Sequence, residues 1–399
     1  MTKAFDAIVV GARCAGSPVA MLLARKGYRV LAVDRATFPS DTLSTHILHP
    51  LGVAALSRWR LLDRLAATGC PSIHTYAFDF GPFTLAGAPG TTDAPIAYCP
   101  RRTILDKLLV DAAAQAGAEV REDFSVDDIL VEDGRVVGIK GHSKDGGSII
   151  ERAQVVVGAD GRHALVAEAV RPERYDEKPP LLAAYFTYWS GLPMDGRFET
   201  YIRDRRGFGV APTHEDLTMV IVGWPYAEFV ENKKDIEGNY LKTIELVPTF
   251  ANRLRGARRE ARFAGAAVPN YFRKPYGRGW ALVGDAGYNK DFITAQGMLD
   301  AFRDAELCAK ALDASFSGTP FDEAMGVYQR TRDARVKAMY EFTCQLATLE
   351  PPPPEMQQLF AAIHGNQQAM DDFARMNAGT ISPAEFFTPE NVNAIKAAA

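Results

Sequence analysis

Three segments of this chain set glycines beside carboxylates where an apolar run ends, an arrangement suited to a phosphorylated, hydroxyl-rich ligand. The first is Gly11-Ala12-Arg13-Cys14-Ala15-Gly16, followed at the end of the next apolar run by Asp34 and Arg35. Gly11 permits a tight turn, and Gly16 lets the following helix pack closely on the strand before it. The start of that helix offers free N–H groups and a positive dipole end to a pyrophosphate, and Asp34 can accept hydrogen bonds from ribose hydroxyls. Arg13 stands where a GxGxxG motif has its middle glycine, so this segment alone is also compatible with an ordinary strand–turn–helix. The second is Gly284-Asp285 after the apolar run Trp280-Ala281-Leu282-Val283, with Thr294-Ala295-Gln296-Gly297-Met298 opening a helix nine residues on. A helix N-terminus there favours negative charge developing beside it. The third is Val157-Gly158-Ala159-Asp160-Gly161, whose Asp-Gly pair is equally a common turn.

The elements that must position these groups are legible from periodicity. Phe5 to Val10 reads as a buried strand. A helix with Ala15, Val19, Leu22 and Leu23 on one face follows, with Pro18 in its first turn and Gly27 as its stop, and Arg29 to Val33 reads as a second strand. Together they make a βαβ unit. A helix opens at Arg102 with Leu105, Leu108, Leu109 and Ala112 in phase, and Gly117 ends it. Short strands alternate with turns from Glu119 to Gly158, with hairpin turns at Asp133-Gly134 and Asp145-Gly146-Gly147. Aromatic and β-branched strands between Leu181 and Val222 predict an antiparallel sheet. Trp280 to Val283 returns to the buried-strand pattern, and Ala301, Ala305, Cys308 and Leu312 share a face of the helix after it. The last eighty residues read as helical, broken at Pro351 to Pro354. The predicted architecture is α/β: a Rossmann-type dinucleotide-binding domain (1–73, 100–170 and 263–318), a mainly antiparallel β-sheet substrate domain inserted into it (74–99 and 171–262), and a C-terminal helical region (319–399).

Composition narrows the function. The 399 residues are 47% hydrophobic with a net charge of −4, which gives no electrostatic reason to expect nucleic acid or an anionic membrane as partner. The five cysteines form no CxxC pair, so neither a disulfide framework nor a metal site is expected, and a cytoplasmic location follows. No signal peptide and no membrane span are read in the sequence.

At the three segments together, over about residues 1–345, the chain resembles the FAD-dependent oxidoreductases of the para-hydroxybenzoate hydroxylase fold. That group includes aromatic monooxygenases, flavin-dependent halogenases and geranylgeranyl reductases. The resemblance implies FAD along the first domain, with Gly11, Arg13, Ala15, Gly16, Asp34 and Arg35 at its adenosine diphosphate. Arg102 would reach its diphosphate and ribityl region, Asp160 and Gly161 would form the Asp-Gly motif tied to flavin and pyridine nucleotide, and Gly284, Asp285, Gln296, Gly297 and Met298 would face the flavin. Phe292 stands where many members have proline, and Ala164 where a serine commonly follows the Asp-Gly turn.

Gly207 to Pro212 lacks the Trp-x-Trp-x-Ile-Pro motif of halogenases and keeps only Pro212 of the isoprenoid reductases' Trp-x-Phe-Pro pattern. The reading is therefore a monooxygenase that hydroxylates a small aromatic or hydrophobic substrate through a flavin hydroperoxide, using O2 and NADPH or NADH. The alternatives are a C=C reductase and a non-oxygenating FAD-binding protein. A homodimer or a separate flavin reductase are the possible protein partners. His46 is the candidate for flavin contact and acid–base catalysis, against an alternative in which Ser44 or Thr45 caps a helix and His46 simply packs. Tyr76, Tyr185, Tyr201, Phe208 and Trp224 are the candidate substrate-pocket residues, with Tyr188 and Trp189 beside them, and His214 is expected in an exposed turn. The C-terminal helices are read as a pocket lid or dimer contact, or else as an appendage on the FAD domain.

Overall fold

The computed structural model describes residues 4–144, 146–162 and 164–398. A parallel sheet gathers strands from distant parts of the chain, with Val30–Val33, Phe5–Val10, Ile149–Gly158 and Trp280–Leu282 as neighbours and Glu119–Arg121 beyond Val30–Val33. These strands are runs of Val, Ile, Leu and Ala because both faces of the sheet are covered. The helix Gly16–Ala24 is wedged between the helices Arg102–Gln115 and Gly297–Phe316, so it is buried well beyond the single face its periodicity predicts. A hairpin, Phe124–Glu132 with Arg135–Ser143, turns at Asp133 and Gly134, both at positive φ as a type I′ turn requires. The second predicted hairpin turn includes Asp145, which lies outside the described residues.

A second sheet runs Leu182–Ser190, Leu217–Pro225, Arg206–Pro212, Arg197–Arg203, Thr75–Asp79, Thr84–Gly87, with Arg258–Arg259 and Ala264–Ala267 also pairing with its first strand. The pairing is antiparallel except between Arg197–Arg203 and Thr75–Asp79. Alternation along each strand gives it two faces of different fate. One face carries Tyr185, Tyr201, Phe208, Val222 and Trp224, and packs on Tyr240, Ile244, Phe250 and Leu254 of the helices Ile236–Glu245 and Pro248–Arg255. The other carries Ala184, Phe186, Tyr188, Ile221, Gly209 and Phe78, and turns toward the elements around the parallel sheet and the C-terminal helices.

The helix Phe321–Leu346 packs along Gly297–Phe316. The prolines then break the chain, and Pro354 itself opens the next helix, Pro354–Ile363. This helix and Gln367–Ala378 lie over the second sheet, through Phe78–Phe373 (5.1 Å between ring centroids) and Phe80–Phe360 (4.8 Å). The terminal helices are thus not an appendage on the first domain: the apolar inner face of Thr75–Asp79 and of the edge strand Thr84–Gly87 needs a cover, and these helices supply it.

Candidate active site

A cleft of about 1020 Å³ runs from the turn after the first strand to the second sheet. Its floor is built by glycines. Gly11 has φ 98°, and a Cβ there would fall 2.5 Å from the Ala159 carbonyl oxygen. A Cβ on Gly16 would fall 1.8 Å from the Gly11 carbonyl oxygen, so no side chain is possible. Asp34 ends the second strand and accepts from the Ala12 N–H (2.8 Å) and the Ala36 N–H (2.9 Å). It therefore holds the turn as well as facing the cleft, where its remaining lone pairs are free to meet a ligand. Ala15 and Arg35 line the same end, while Gly16 stands back in the helix packing.

Arg13 is not loose over the turn. Its guanidinium donates to Asp106 Oδ2 (2.7 Å) and to Ser40 Oγ (2.9 Å), and it sits over the Phe38 ring. Arg102 donates to both oxygens of Asp106 at 3.0 Å, and the Cys14 thiol donates to Oδ1 at 3.3 Å. Asp106 is fully buried and joins the turn, the helix Arg102–Gln115 and the loop at Ser40. It was not singled out in the sequence; its one signal there is the i, i+4 spacing from Arg102.

Farther along the cleft come Asp160, Gly161, Gly284, Asp285, Gly297 and Met298. Asp160 Oδ2 accepts from the Leu165 N–H (2.7 Å), capping the short helix Leu165–Val170 so that Ala164 needs no hydroxyl. Asp160 Oδ1 is buried with no partner, and burial pushes this carboxyl up to about 6. Gly284, at φ 58°, lies against Ala15, where a Cβ would come within 2.9 Å of that side chain. Asp285 is exposed, but to the cleft: the surrounding protein raises its pKa, opposed by Arg162, Arg102 and Lys290. A Cβ on Gly297 would meet nothing within 4 Å, so the N-terminus of the helix Gly297–Phe316 opens onto the cleft. Phe292 and Ala295 line the wall beside it. Gln296 does not: it is fully buried, and its Nε2 donates to the Asn377 carbonyl (3.0 Å), tying this loop to the C-terminal helices. A buried ion pair between Lys290 and Asp300 also reaches the cleft through Lys290, and the sequence reading missed it.

The glycine cradle, the unpartnered Asp160 oxygen and the open helix N-terminus fit a dinucleotide whose phosphates and hydroxyls run along this floor.

The far wall is apolar, formed by Ala184, Phe186, Ile221, Gly265, Ala266 and Val268. Of the five pocket candidates, the structure brings none to this wall. Tyr185, Tyr201, Phe208 and Trp224 point to the opposite face of the sheet, one residue out of phase with Ala184 and Phe186. Tyr76 is on the inner face but fully buried, its hydroxyl 2.8 Å from His49 Nδ1. Tyr188 shares the inner face, and Trp189 belongs to the outer one.

His46 is fully buried at φ 58°, next to the cleft-lining loop Ser40–Thr45. Its Nε2 is 2.5 Å from the Tyr188 hydroxyl, its Nδ1 has no partner, and burial with Arg102 and Arg101 nearby lowers its pKa to about 3. No helix begins at Ser44 or Thr45; it begins at Pro50, with His49 before it. His214 is buried rather than exposed, because the turn folds back so that its Nδ1 accepts from the Arg101 N–H (3.1 Å) and its Nε2 meets Thr68 Oγ1 (2.8 Å). All five cysteines are buried and free. Among the described residues, no cluster suited to a metal ion is present and no helix is long and apolar enough to cross a membrane.

Residues 4–343 match the family model described as FAD binding domain. Among curated proteins, FixC of Salmonella typhi is 32% identical over 177 residues, covering 41% of this chain and only 38% of FixC. Digeranylgeranylglycerophospholipid reductase 1 of Methanopyrus kandleri is 27% identical (74% of this chain, 76% of that one). A probable NADH-specific resorcinol 4-hydroxylase of Rhodococcus jostii is 24% identical (87% and 66%). Among solved structures, the myxobacterial FAD-dependent halogenase CndH superposes with a TM-score of 0.80 at 22% identity (99% and 96%). PqsL of Pseudomonas aeruginosa, a probable FAD-dependent monooxygenase, gives 0.72 at 22% (87% and 96%). With the glycine turn, the Asp-Gly segment and the Gly-Asp segment all gathered on one cleft, and the match running through all three, the chain belongs to the FAD binding domain family.

Proposed function

We propose that this FAD-dependent oxidoreductase is a monooxygenase that hydroxylates a small aromatic or hydrophobic molecule, with NADH or NADPH as electron source and O2 as co-substrate. The observation that carries the reading is continuity: the dinucleotide floor and the apolar wall of Ala184, Phe186 and Ile221 belong to one cleft. In this reading Gly11, Ala15 and Gly16 shape the turn under the pyrophosphate, Asp34 and Arg35 take the adenosine end, and Asp160 and Asp285 take hydroxyls farther along. Arg102, clamped on Asp106, supplies fixed positive charge beside the phosphates, with Arg13 locked to the same carboxylate. Bound FAD supplies hydride acceptance and oxygen activation. The helix N-terminus at Gly297 stabilises negative charge near it, and the apolar wall excludes water from the reacting centre. His46, held by Tyr188, positions the loop Ser40–Thr45 rather than reaching the cleft itself.

The hydroxylase relative and the monooxygenase-like neighbour support oxygenation, and the reductase relative supports C=C reduction as the competing reading. The discriminating experiment mixes FAD-loaded protein with NADH or NADPH, ¹⁸O₂ and a panel of phenols. Product carrying ¹⁸O is expected. Saturation of an alkenyl side chain without label would instead establish reduction. Lack of reduction by either nucleotide would point to a separate flavin reductase.

A further inference from the structure

Beside the cleft lies a three-stranded antiparallel sheet of Arg174–Lys178, Asn270–Arg273 and Tyr288–Asn289, whose two faces have different surroundings. One face carries Tyr175, Phe272 and Tyr288 and packs on Val336 and Tyr340 of the helix Phe321–Leu346. Alternation puts Arg174, Arg273, Tyr271 and Asn289 on the other. Arg174 stands directly opposite Arg273, and Tyr271 directly opposite Asn289. Both guanidiniums lie over the Tyr271 ring, 4.8 and 4.7 Å from its centroid. Asn289 lines the cleft, so this face runs from the cleft to the arginines.

Like charges directly opposite each other destabilise a sheet, and here one of the two is only 5% exposed. Arg273 Nη1 donates to the Ala286 carbonyl oxygen at 2.7 Å, and this guanidinium makes no other hydrogen bond and no ion pair among the described residues. Burial and Arg174 oppose its charge, while Asp160 and Glu168 support it only from a distance. Arg174 reaches Glu177 at 3.6 Å, where both side chains are about half exposed. A third cation joins them: Arg171 ends the helix Leu165–Val170 at φ 45°, is followed by Pro172, and pairs with no acid among the described residues. Arg171, Arg174 and Arg273 share one hollow of about 250 Å³. Glu168 is the acid on its rim and lines the cleft as well, so the two spaces meet at this residue.

We propose that this arginine pocket is a phosphate site, holding the phosphate group of a ligand that extends along the sheet face toward the cleft. A carboxylate has two oxygens and one charge to offer, whereas a phosphate presents three acceptor oxygens and close to two charges, enough to engage all three guanidiniums. The phosphate has two possible sources: the 2′-phosphate that distinguishes NADPH from NADH, or the phosphate of another phosphorylated ligand. The site does not depend on what the cleft does to its substrate; only its assignment to the nicotinamide donor rests on the monooxygenase reading.

The probes are inorganic phosphate, NADP+ and NAD+, titrated calorimetrically into the oxidised, FAD-loaded protein, so neither turnover nor oxygen enters. Arg171 and Arg174 are exposed, and Arg171→Gln and Arg174→Gln are expected to keep FAD content and melting temperature. Each is expected to weaken phosphate binding by about tenfold. Arg255→Gln, an exposed arginine on the helix Pro248–Arg255, should leave it unchanged. Wild type preferring NADP+ over NAD+, with the preference lost in both pocket variants, would assign the site to the donor. Phosphate binding that depends on the pocket arginines without any NADP+ preference would keep the site and give it to another phosphorylated ligand. Phosphate affinity and NADP+ preference both unchanged in the pocket variants, or weakened equally by Arg255→Gln, would overturn the site. Failure to incorporate ¹⁸O would remove the monooxygenase reading and leave these titrations as they stand.

Discussion

Asp106 Oδ2 accepts the Arg13 guanidinium at 2.7 Å across 93 residues of sequence, pinning the glycine turn after the first strand to the helix that starts at Arg102. The carboxylate is fully buried and Arg102 shares it, so the three charges act as one unit. Removing one member of such a buried network costs about 3–5 kcal/mol, because the remaining charges are left uncompensated. Asp106→Ala is expected to lose stability on that scale and to be purified with little FAD. Chemical denaturation and the flavin absorbance ratio check it, and a variant that keeps both stability and FAD would refute the role.

Two glycines, Gly16 behind the cleft floor and Gly297 on the cleft itself, are expected to behave oppositely. Gly16→Ala forces a Cβ against the Gly11 carbonyl oxygen, and the turn has to open. Gly297→Ala meets nothing and replaces a glycine in the first turn of a helix, so the apo-protein should be unchanged or up to about 1 kcal/mol more stable. Its methyl enters the cleft, and FAD affinity should fall several-fold. Fluorimetric FAD titration beside thermal melting separates the two effects. Unchanged FAD affinity in Gly297→Ala would place the flavin elsewhere.

His49 lies between the Tyr76 hydroxyl and the Thr294 carbonyl, and burial lowers its pKa to about 4. The folded state keeps the imidazole neutral, whereas the unfolded chain binds a proton below its ordinary value of about 6.5. Stability from this group is thus present above pH 6.5 and is lost as pH falls toward 4, by about 1.4 kcal/mol per pH unit. His46, lowered to about 3, adds a contribution of the same sign over a wider window. Urea unfolding from pH 7.5 to 4.5 should show His49→Gln with a shallower acid slope than wild type. Parallel curves would mean that His49 is not held neutral.

Trp224 is buried in the outer-face core, where its Nε1 donates to Thr243 Oγ1 at 3.0 Å. Trp224→Ala should cost about 3–5 kcal/mol. A Trp224→Phe variant that still folds should bind alkylphenols as wild type does, whereas Phe186→Ala should weaken that binding without a matching loss of FAD. A large affinity change in Trp224→Phe would bring the outer face back as a substrate wall.

The sequence by itself determined the strand–turn–helix frame and the groups along its floor. Gly11, Asp34, Asp160 and Asp285 sit at strand ends, and strand ends are read from local periodicity and turn chemistry. It also determined that Leu182–Ser190 and its neighbours form a sheet, because alternation and β-branching are local properties. Only the tertiary structure decided which face of that sheet meets the cleft. The strands Leu182–Ser190 and Leu217–Pro225 are apolar on both sides, since helices cover one face and the cleft and C-terminal helices meet the other, so Tyr185 and Phe186 look equally inward in sequence. A shift of one residue reverses the assignment. Asp106 and the tie from Gln296 to Asn377 were hidden for the same reason: their partners lie far along the chain, and no local pattern records a contact that only packing creates.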